Sequence, residues 1–182
     1  MKEVYTVYNE TNAPAGSQSL LTRVRNQYGF IPNSLAEMAL SPQTLEGYLT
    51  LGDLVSQTTL TENERMIVML TTSCSNDCPY CVPAVSALAK DHGLPEDVVM
   101  SIRNGVELAD ERWEALRSFT EKLVYKQGWE SENDIGAFLS AGFTKRQMME
   151  VVLIMCMKNI AIYCNHLMEP ELDNEFAGER WH

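Results

Sequence analysis

Apolar side chains along this chain recur at three- and four-residue spacing, and no stretch of convincing length alternates with period two. That pattern predicts helices and almost nothing else. Ser41-Pro42 sets a polar N-cap against a first-turn proline and opens a helix to about Ser56. Thr61-x-x-Glu64 is a capping box ahead of the apolar run Met66 to Leu70. Asp77 is read as the cap of a helix from Cys78 to about Lys90, with Gly93 at the left-handed position that ends it. Leu94-Pro95-Glu96 starts a shorter helix that fades near Asn104-Gly105. Asp110 opens Glu111 to Gln127, stopped by Gly128, and Ser131 opens another that stops at Gly142. A second capping box, Thr144-x-x-Gln147, opens the longest helix, about Lys145 to Leu167. Its apolar positions Met148, Val151, Val152, Met155 and Ile162 step at helical spacing with more apolar residues between them, so most of its faces are expected to be buried. Val4 to Tyr8 suits a short strand but has no partner. The expected architecture is all-α, about eight helices, in one domain over 1–182 with no linker or fixed-period repeat.

Composition narrows the class. The 182 residues are 45% hydrophobic and 21% charged, an ordinary globular balance. A chain of this length buries roughly 70% of its unfolded surface, enough for a real core. Fourteen Lys and Arg against 25 Asp and Glu leave a net charge of −11. With no basic stripe to release counterions, nucleic acid and anionic membrane are not expected partners. The longest unbroken apolar run, Val151 to Met157, falls well short of the roughly 20 residues of a spanning helix. Met1-Lys2-Glu3-Val4-Tyr5 lacks the apolar run of a secretory signal. A soluble, acidic, cytoplasmic protein is expected. No P-loop, GxGxxG, HExxH or GxSxG pattern is present, so no nucleotide or serine-hydrolase chemistry is indicated and no cofactor is expected.

The five cysteines, at 74, 78, 81, 156 and 164, are odd in number and clustered, unlike a secreted disulfide framework. Cys78-Pro79-Tyr80-Cys81 is the sharpest feature. At a helix start, unpaired N–H groups favour a thiolate, and paired thiols at this spacing can titrate well below the free value of about 8.5. One thiolate can then attack a substrate while its neighbour resolves the product as a disulfide. Asp77 works against this by placing a carboxylate beside Cys78 unless capping occupies it. The plain alternative is two buried, inert thiols three residues apart. Zinc is disfavoured: it needs four ligands, only Cys74 is near, and no His lies within five residues of either thiol. Cys156 and Cys164 read as small core residues of the long helix.

Beyond the thiols, the run Leu60 to Arg65, the apolar helix after it, Asn76-Asp77-Cys78-Pro79-Tyr80-Cys81-Val82-Pro83-Ala84, Ala87-Leu88-Ala89 and Gly93 resemble the alkylhydroperoxidase core. The branch they are similar to is the AhpD-like, peroxidase-related one of the carboxymuconolactone decarboxylase family. Gly29-Phe30-Ile31-Pro32-Asn33, Ser41-Pro42 and Tyr48 carry the likeness on the N-terminal side. Ala141-Gly142-Phe143-Thr144, Glu150 to Leu153, and Lys158 through Tyr163 to Asn165-His166 carry it on the other. It spans about residues 13–177, with the redox motif region at about 60–93.

The resemblance implies an all-α homo-oligomer, dimer to hexamer, whose dithiol reduces hydroperoxides. It implies Cys81 as the peroxidatic and Cys78 as the resolving cysteine, regenerated by a dithiol reductant or carrier protein. It also implies a glutamate and a histidine that move protons at the thiols, and here the chain departs. The family histidine, four residues after the second cysteine, is Val85. The family glutamate, twelve before the first, is Met66. A glutamate that related members place three before the first cysteine is Ser75. General acid–base help is typically worth 10²–10⁴-fold, and its loss leaves a drier, less polar pocket. Tyr80, His92 and His166 are the available substitutes. His92, two turns past Val85 along one helix, lies about 10 Å too far away. His166 shares a helical face with Asn159 and Tyr163, and is either a proton-transfer group or a structural histidine. Two readings therefore stand: a thiol-dependent peroxidase or disulfide oxidoreductase, and a family member that lost the relay and serves as a redox sensor or oligomeric scaffold. Lactone decarboxylation is a weaker third, since it needs no dithiol.

Overall fold

The computed structural model describes residues 5–181, and among them the regular structure is entirely helical. The helices are α1 Ala15–Tyr28, α2 Asn33–Met38, α3 Pro42–Ser56, α4 Glu62–Ser75, α5 Cys81–Asp91, α6 Glu96–Arg103, α7 Glu111–Tyr125, α8 Glu132–Ser140 and α9 Lys145–Met168, followed by a 3₁₀ turn at Asn174–Glu179. Eight of them run seven residues or longer, the number the sequence predicts. Residues 5–8 form no strand; Val4 and His182 lie outside the described residues.

The capping signals hold where a side chain does the capping. Ser41, Thr61, Asp110, Ser131 and Thr144 each accept a backbone N–H at the start of a helix, and Thr61 and Thr144 complete reciprocal boxes with Glu64 and Gln147. α1 and α2 carry no such signal. Each is preceded by a proline, Pro14 and Pro32, with no side-chain cap. A pre-set φ starts these two helices in place of a polar cap.

Two apolar clusters make the core. Ile67, Val68 and Leu70 of α4 pack against Leu116, Phe119 and Leu123 of α7, Phe138 of α8, and Val151 and Ile154 of α9. Phe119, Phe138 and Phe143 stack in series there, at 4.3 and 4.5 Å between ring centroids. Arg112 covers Phe143 and donates to buried Glu64 at 2.9 Å. The second cluster joins Leu21 and Val24 of α1, Leu35 and Met38 of α2, Leu45 and Leu49 of α3, and Ala161 and Ile162 of α9 to both Cys78 and Cys81.

α9 runs through both clusters over 24 residues. By length and composition it is the one described helix that could cross a membrane. The unbroken run Val151 to Met157 understated it, because charged Lys158 interrupts a longer apolar stretch. Its burial is also less complete than expected. Met149, Val152, Cys156, Tyr163 and Leu167 are exposed, so Cys156 is not a core residue, and Cys164 is only half-buried.

Because Thr144 caps the helix that bridges both clusters, Thr144→Ala is expected to cost about 1 kcal/mol of unfolding free energy. Leu116→Ala, which empties a fully buried site in the first cluster, should cost about 2–5 kcal/mol. Urea unfolding of the two variants reads both; equal losses would contradict this division between cap and core.

Candidate active site

The turn between α4 and α5 sets the two thiols. Asp77 adopts a left-handed conformation, φ 51°. Its N–H donates to the Cys74 carbonyl at 3.0 Å, and the Cys78 N–H donates to the Ser73 carbonyl at 3.2 Å. This is the Schellman pattern that satisfies the last carbonyls of α4. Asp77 thus closes one helix and does not cap the next, and regular α5 begins at Cys81 rather than Cys78. The capping place belongs to Cys78. Its sulfur accepts the Cys81 N–H at 3.3 Å and its carbonyl accepts the Val82 N–H at 3.1 Å. Pro79 fills the first-turn position, where no N–H is needed.

From this start Cys81 faces a cavity of about 390 Å³ between α1, α3, α4, α5 and α9, while Cys78 lies behind it, fully buried. The wall is largely apolar, with Leu35, Leu49, Met69, Ala84, Met157 and Ala161 among its residues. Met66 and Val85, the positions at which the resemblance implies ionisable groups, both lie on this wall. Ser75 does not; it faces a separate pocket of about 150 Å³ with Cys74, whose thiol burial pushes up to about 12.

A polar network enters the wall at one place. The Asn165 amide donates to Cys81 Sγ at 3.2 Å. Its carbonyl oxygen accepts the Ser34 hydroxyl at 2.5 Å, which fixes which way the amide points. The Ser34 N–H donates to the Tyr80 hydroxyl at 3.4 Å, and Tyr80 donates in turn to Asp173, which also accepts the Asn33 N–H at 3.1 Å. Phe176 of the C-terminal turn packs edge-on to Tyr80 and closes this side. Tyr80 is therefore a buried, tethered phenol. Burial and its bond to Asp173 push its titration up, and burial, with the charge of Cys81 adding to it, takes Tyr48 to about 12.

The electrostatics separate the two thiols. A hydrogen bond from the Cys78 thiol lowers the pKa of Cys81; burial opposes it, while the charge of Lys158 and the Asn165 amide add to the lowering. Cys78 moves the other way, raised by its bond to Cys81 and by burial. Cys81 is thus a buried thiol whose anion is favoured, with a neighbour three residues away whose thiol form is favoured.

Of the expected substitutes, His166 is exposed and reaches Cys81 only through its charge. His92 lies at the cavity rim, paired with Glu62 at 2.7 Å. The contact is made by Asn165, one residue from the histidine, and the buried charge on the wall is Lys158. Both stand in the stretch from Lys158 to His166, but helical periodicity does not say which face turns toward α5. Among the described residues, no three His, Cys, Asp or Glu side chains converge as a metal site would need.

Residues 42–122, from α3 into α7 and including both cysteines, match the carboxymuconolactone decarboxylase family. A search of curated proteins finds no match. Among solved structures, the chain is similar to a peroxidase-related protein with an alkylhydroperoxidase AhpD core from Ralstonia eutropha JMP134. That likeness has 20% identity and a TM-score of 0.83, covering 97% of this chain and 95% of the other. A peroxidase-related protein from Silicibacter sp. TM1040 is similar at 19% identity, TM-score 0.80, covering 92% and 90%. A Cys-to-Ala variant of the debrominase Bmp8, in complex with 2,3,4-tribromopyrrole, is similar at 12% identity, TM-score 0.77, covering 91% and 89%. At these identities the likeness is one of fold.

Removing the amide in Asn165→Ala withdraws one stabiliser of the Cys81 anion. The pH midpoint of Cys81 alkylation by iodoacetamide, followed by peptide mass spectrometry, should move upward; an unchanged midpoint would remove Asn165 from the site's electrostatics.

Proposed function

The chain belongs to the carboxymuconolactone decarboxylase family and has the AhpD-like fold, and from that premise we propose a thiol-dependent peroxidase or disulfide oxidoreductase working through Cys81 and Cys78. The observation that carries the reading is the asymmetry of the pair: Cys81 opens on the cavity with its anion stabilised, and Cys78 waits protonated behind it. The Cys81 thiolate attacks the terminal oxygen of a hydroperoxide. The O–O bond breaks, the sulfur becomes a sulfenic acid, and the departing alkoxide takes up a proton to leave as the alcohol. The Cys78 thiol then attacks the sulfenic sulfur, releasing water and forming the disulfide. An external dithiol, small or carried on a protein, returns two electrons and one proton through a mixed disulfide, leaving Cys78 as thiol and Cys81 as thiolate, and releases its second proton to solvent. The largely apolar wall suits an organic hydroperoxide better than hydrogen peroxide, and a reducing cytoplasmic compartment suits the free thiols.

A homo-oligomer belongs to the same reading. Met149, Val152, Cys156, Tyr163 and Leu167 fall within one arc of α9 and leave an exposed, mostly apolar stripe for a second copy. Sedimentation at the mass of one subunit would overturn this part. A redox sensor is the second reading, favoured by the apolar Met66 and Val85 on the wall, since a sensor needs a reversible disulfide but no fast turnover.

Dithiothreitol-dependent consumption of cumene hydroperoxide separates the two, with 2,3,4-tribromopyrrole assayed in parallel for reductive debromination. Wild type should turn over the peroxide, Cys81→Ser should fall to background, and Cys78→Ser should stop at a sulfenic acid that dimedone traps. The rate should be highest where Cys81 is ionised and fall as pH drops through its lowered pKa. Background rates in wild type, with the disulfide still forming reversibly, would replace the peroxidase with the sensor.

A further inference from the structure

Among the described residues, the cavity wall holds one cation with neither a hydrogen-bond nor an ion-pair partner. Lys158 keeps 4% of its surface exposed and makes no hydrogen bond or ion pair. The other cations facing the cavity all have partners: Arg23 with Asp53, His92 with Glu62, and Arg65 with the Leu60 carbonyl at 2.6 Å. The Lys158 stem is buried while its ammonium keeps contact with the cavity, where an unpaired cation beside a largely apolar wall suits something anionic. Lys158 and Asn165 lie seven residues apart on the same face of α9, and both line the cavity into which Cys81 opens. Asn165 reaches the Cys81 sulfur directly.

We propose that Lys158 is the counter-charge of the Cys81 thiolate, a positioning residue that keeps the sulfur ionised in a pocket where Met66 and Val85 supply no ionisable group. The inference rests on Cys81 being the working thiol of the proposed function. Lys158, Cys81 and Tyr28 of α1 line the same cavity, and the lysine's charge acts on Cys78 and Tyr28 in the same direction as on Cys81. The remaining groups around the sulfur do not supply that charge. Tyr48 from α3 and Tyr80 before α5 are phenols held neutral. Asp173 of the C-terminal segment reaches the site only through Tyr80, and His166 on α9, which is exposed, adds a smaller charge contribution than Lys158.

A redox consequence follows. Reduction of the Cys78–Cys81 disulfide by a dithiol breaks the S–S bond, takes two electrons and one proton, and leaves Cys78 as thiol and Cys81 as thiolate. A cation that stabilises the thiolate stabilises the reduced form, so the disulfide is easier to reduce. In the disulfide form Lys158 loses its counter-charge.

Lys158→Met, Lys158→Gln and Lys158→Arg in the full chain test this without any peroxide. In the two neutral variants the pH midpoint of Cys81 alkylation should rise by about one unit, and the disulfide in glutathione redox buffers should become about tenfold harder to reduce, about 30 mV for a two-electron couple. Lys158→Arg should restore most of both. Unchanged midpoint and redox equilibrium in a neutral variant with wild-type melting overturns the proposal. Failure of both neutral variants to fold overturns it too, since that assigns Lys158 to the fold rather than the sulfur. Absent peroxide turnover with these shifts intact would count against the proposed function and leave the assignment of Lys158 standing.

Discussion

Burial of α9 along most of its length is the constraint on which this protein is built. Its first half closes the aromatic stack of α7 and α8 against α4, and its second half closes α1, α2 and α3 against the cysteine turn. Two capping devices hold its N-terminal end: the Thr144–Gln147 box, and Glu150, which accepts from the backbone and hydroxyl of Thr59 at 2.9 and 2.7 Å. With the axis fixed there, helical geometry carries the rest. Lys158, Ala161 and Asn165 arrive at the cavity because they share the face that Ile154 and Met157 have already committed to the interior.

The site is then a compromise between solvation and charge. A thiolate in a dry pocket is unfavourable, and at Cys81 burial is offset by local dipoles and by the charges of Lys158 and, more weakly, His166. The Cys78 thiol and the Asn165 amide both act on Cys81 within hydrogen-bonding distance. Such groups cost little reorganisation, because Ser34 and the Tyr80–Asp173 bond hold the amide in place. What they do not provide is a group that exchanges a proton readily near pH 7, and the apolar Met66 and Val85 on the wall do not supply one. The chemistry open to such a site starts readily at the sulfur and is slower wherever a leaving group needs a proton.

The C-terminal segment matters more than its irregular structure suggests. Glu179 accepts from Lys90 and Arg103 at 2.7 and 2.8 Å, Asp173 accepts from Tyr80 and Asn33, and Phe176 packs between Phe30 and Tyr80. These contacts lash α2, α5 and α6 together from outside and keep water from the back of the cysteine turn.

Features encoded over three or four residues were legible from the chain alone. The helical period, the two capping boxes, the N-caps at Ser41, Asp110 and Ser131, and the paired cysteines are short-range patterns whose physics is complete within one turn. Asp77 shows the limit of that reasoning. A residue between two helices can cap the second or close the first, and the choice depended on satisfying the last carbonyls of α4. Helices entered through proline, α1 and α2, gave no polar signal. The contacts that define the site join residues 84 and 131 positions apart, Cys81 with Asn165 and Ser34 with Asn165. No local pattern specifies which face of a mostly apolar helix turns inward, because both faces satisfy the helical period. Only the packing of α9 between two clusters decided that Asn165 meets the thiol and Lys158 the cavity while His166 meets solvent.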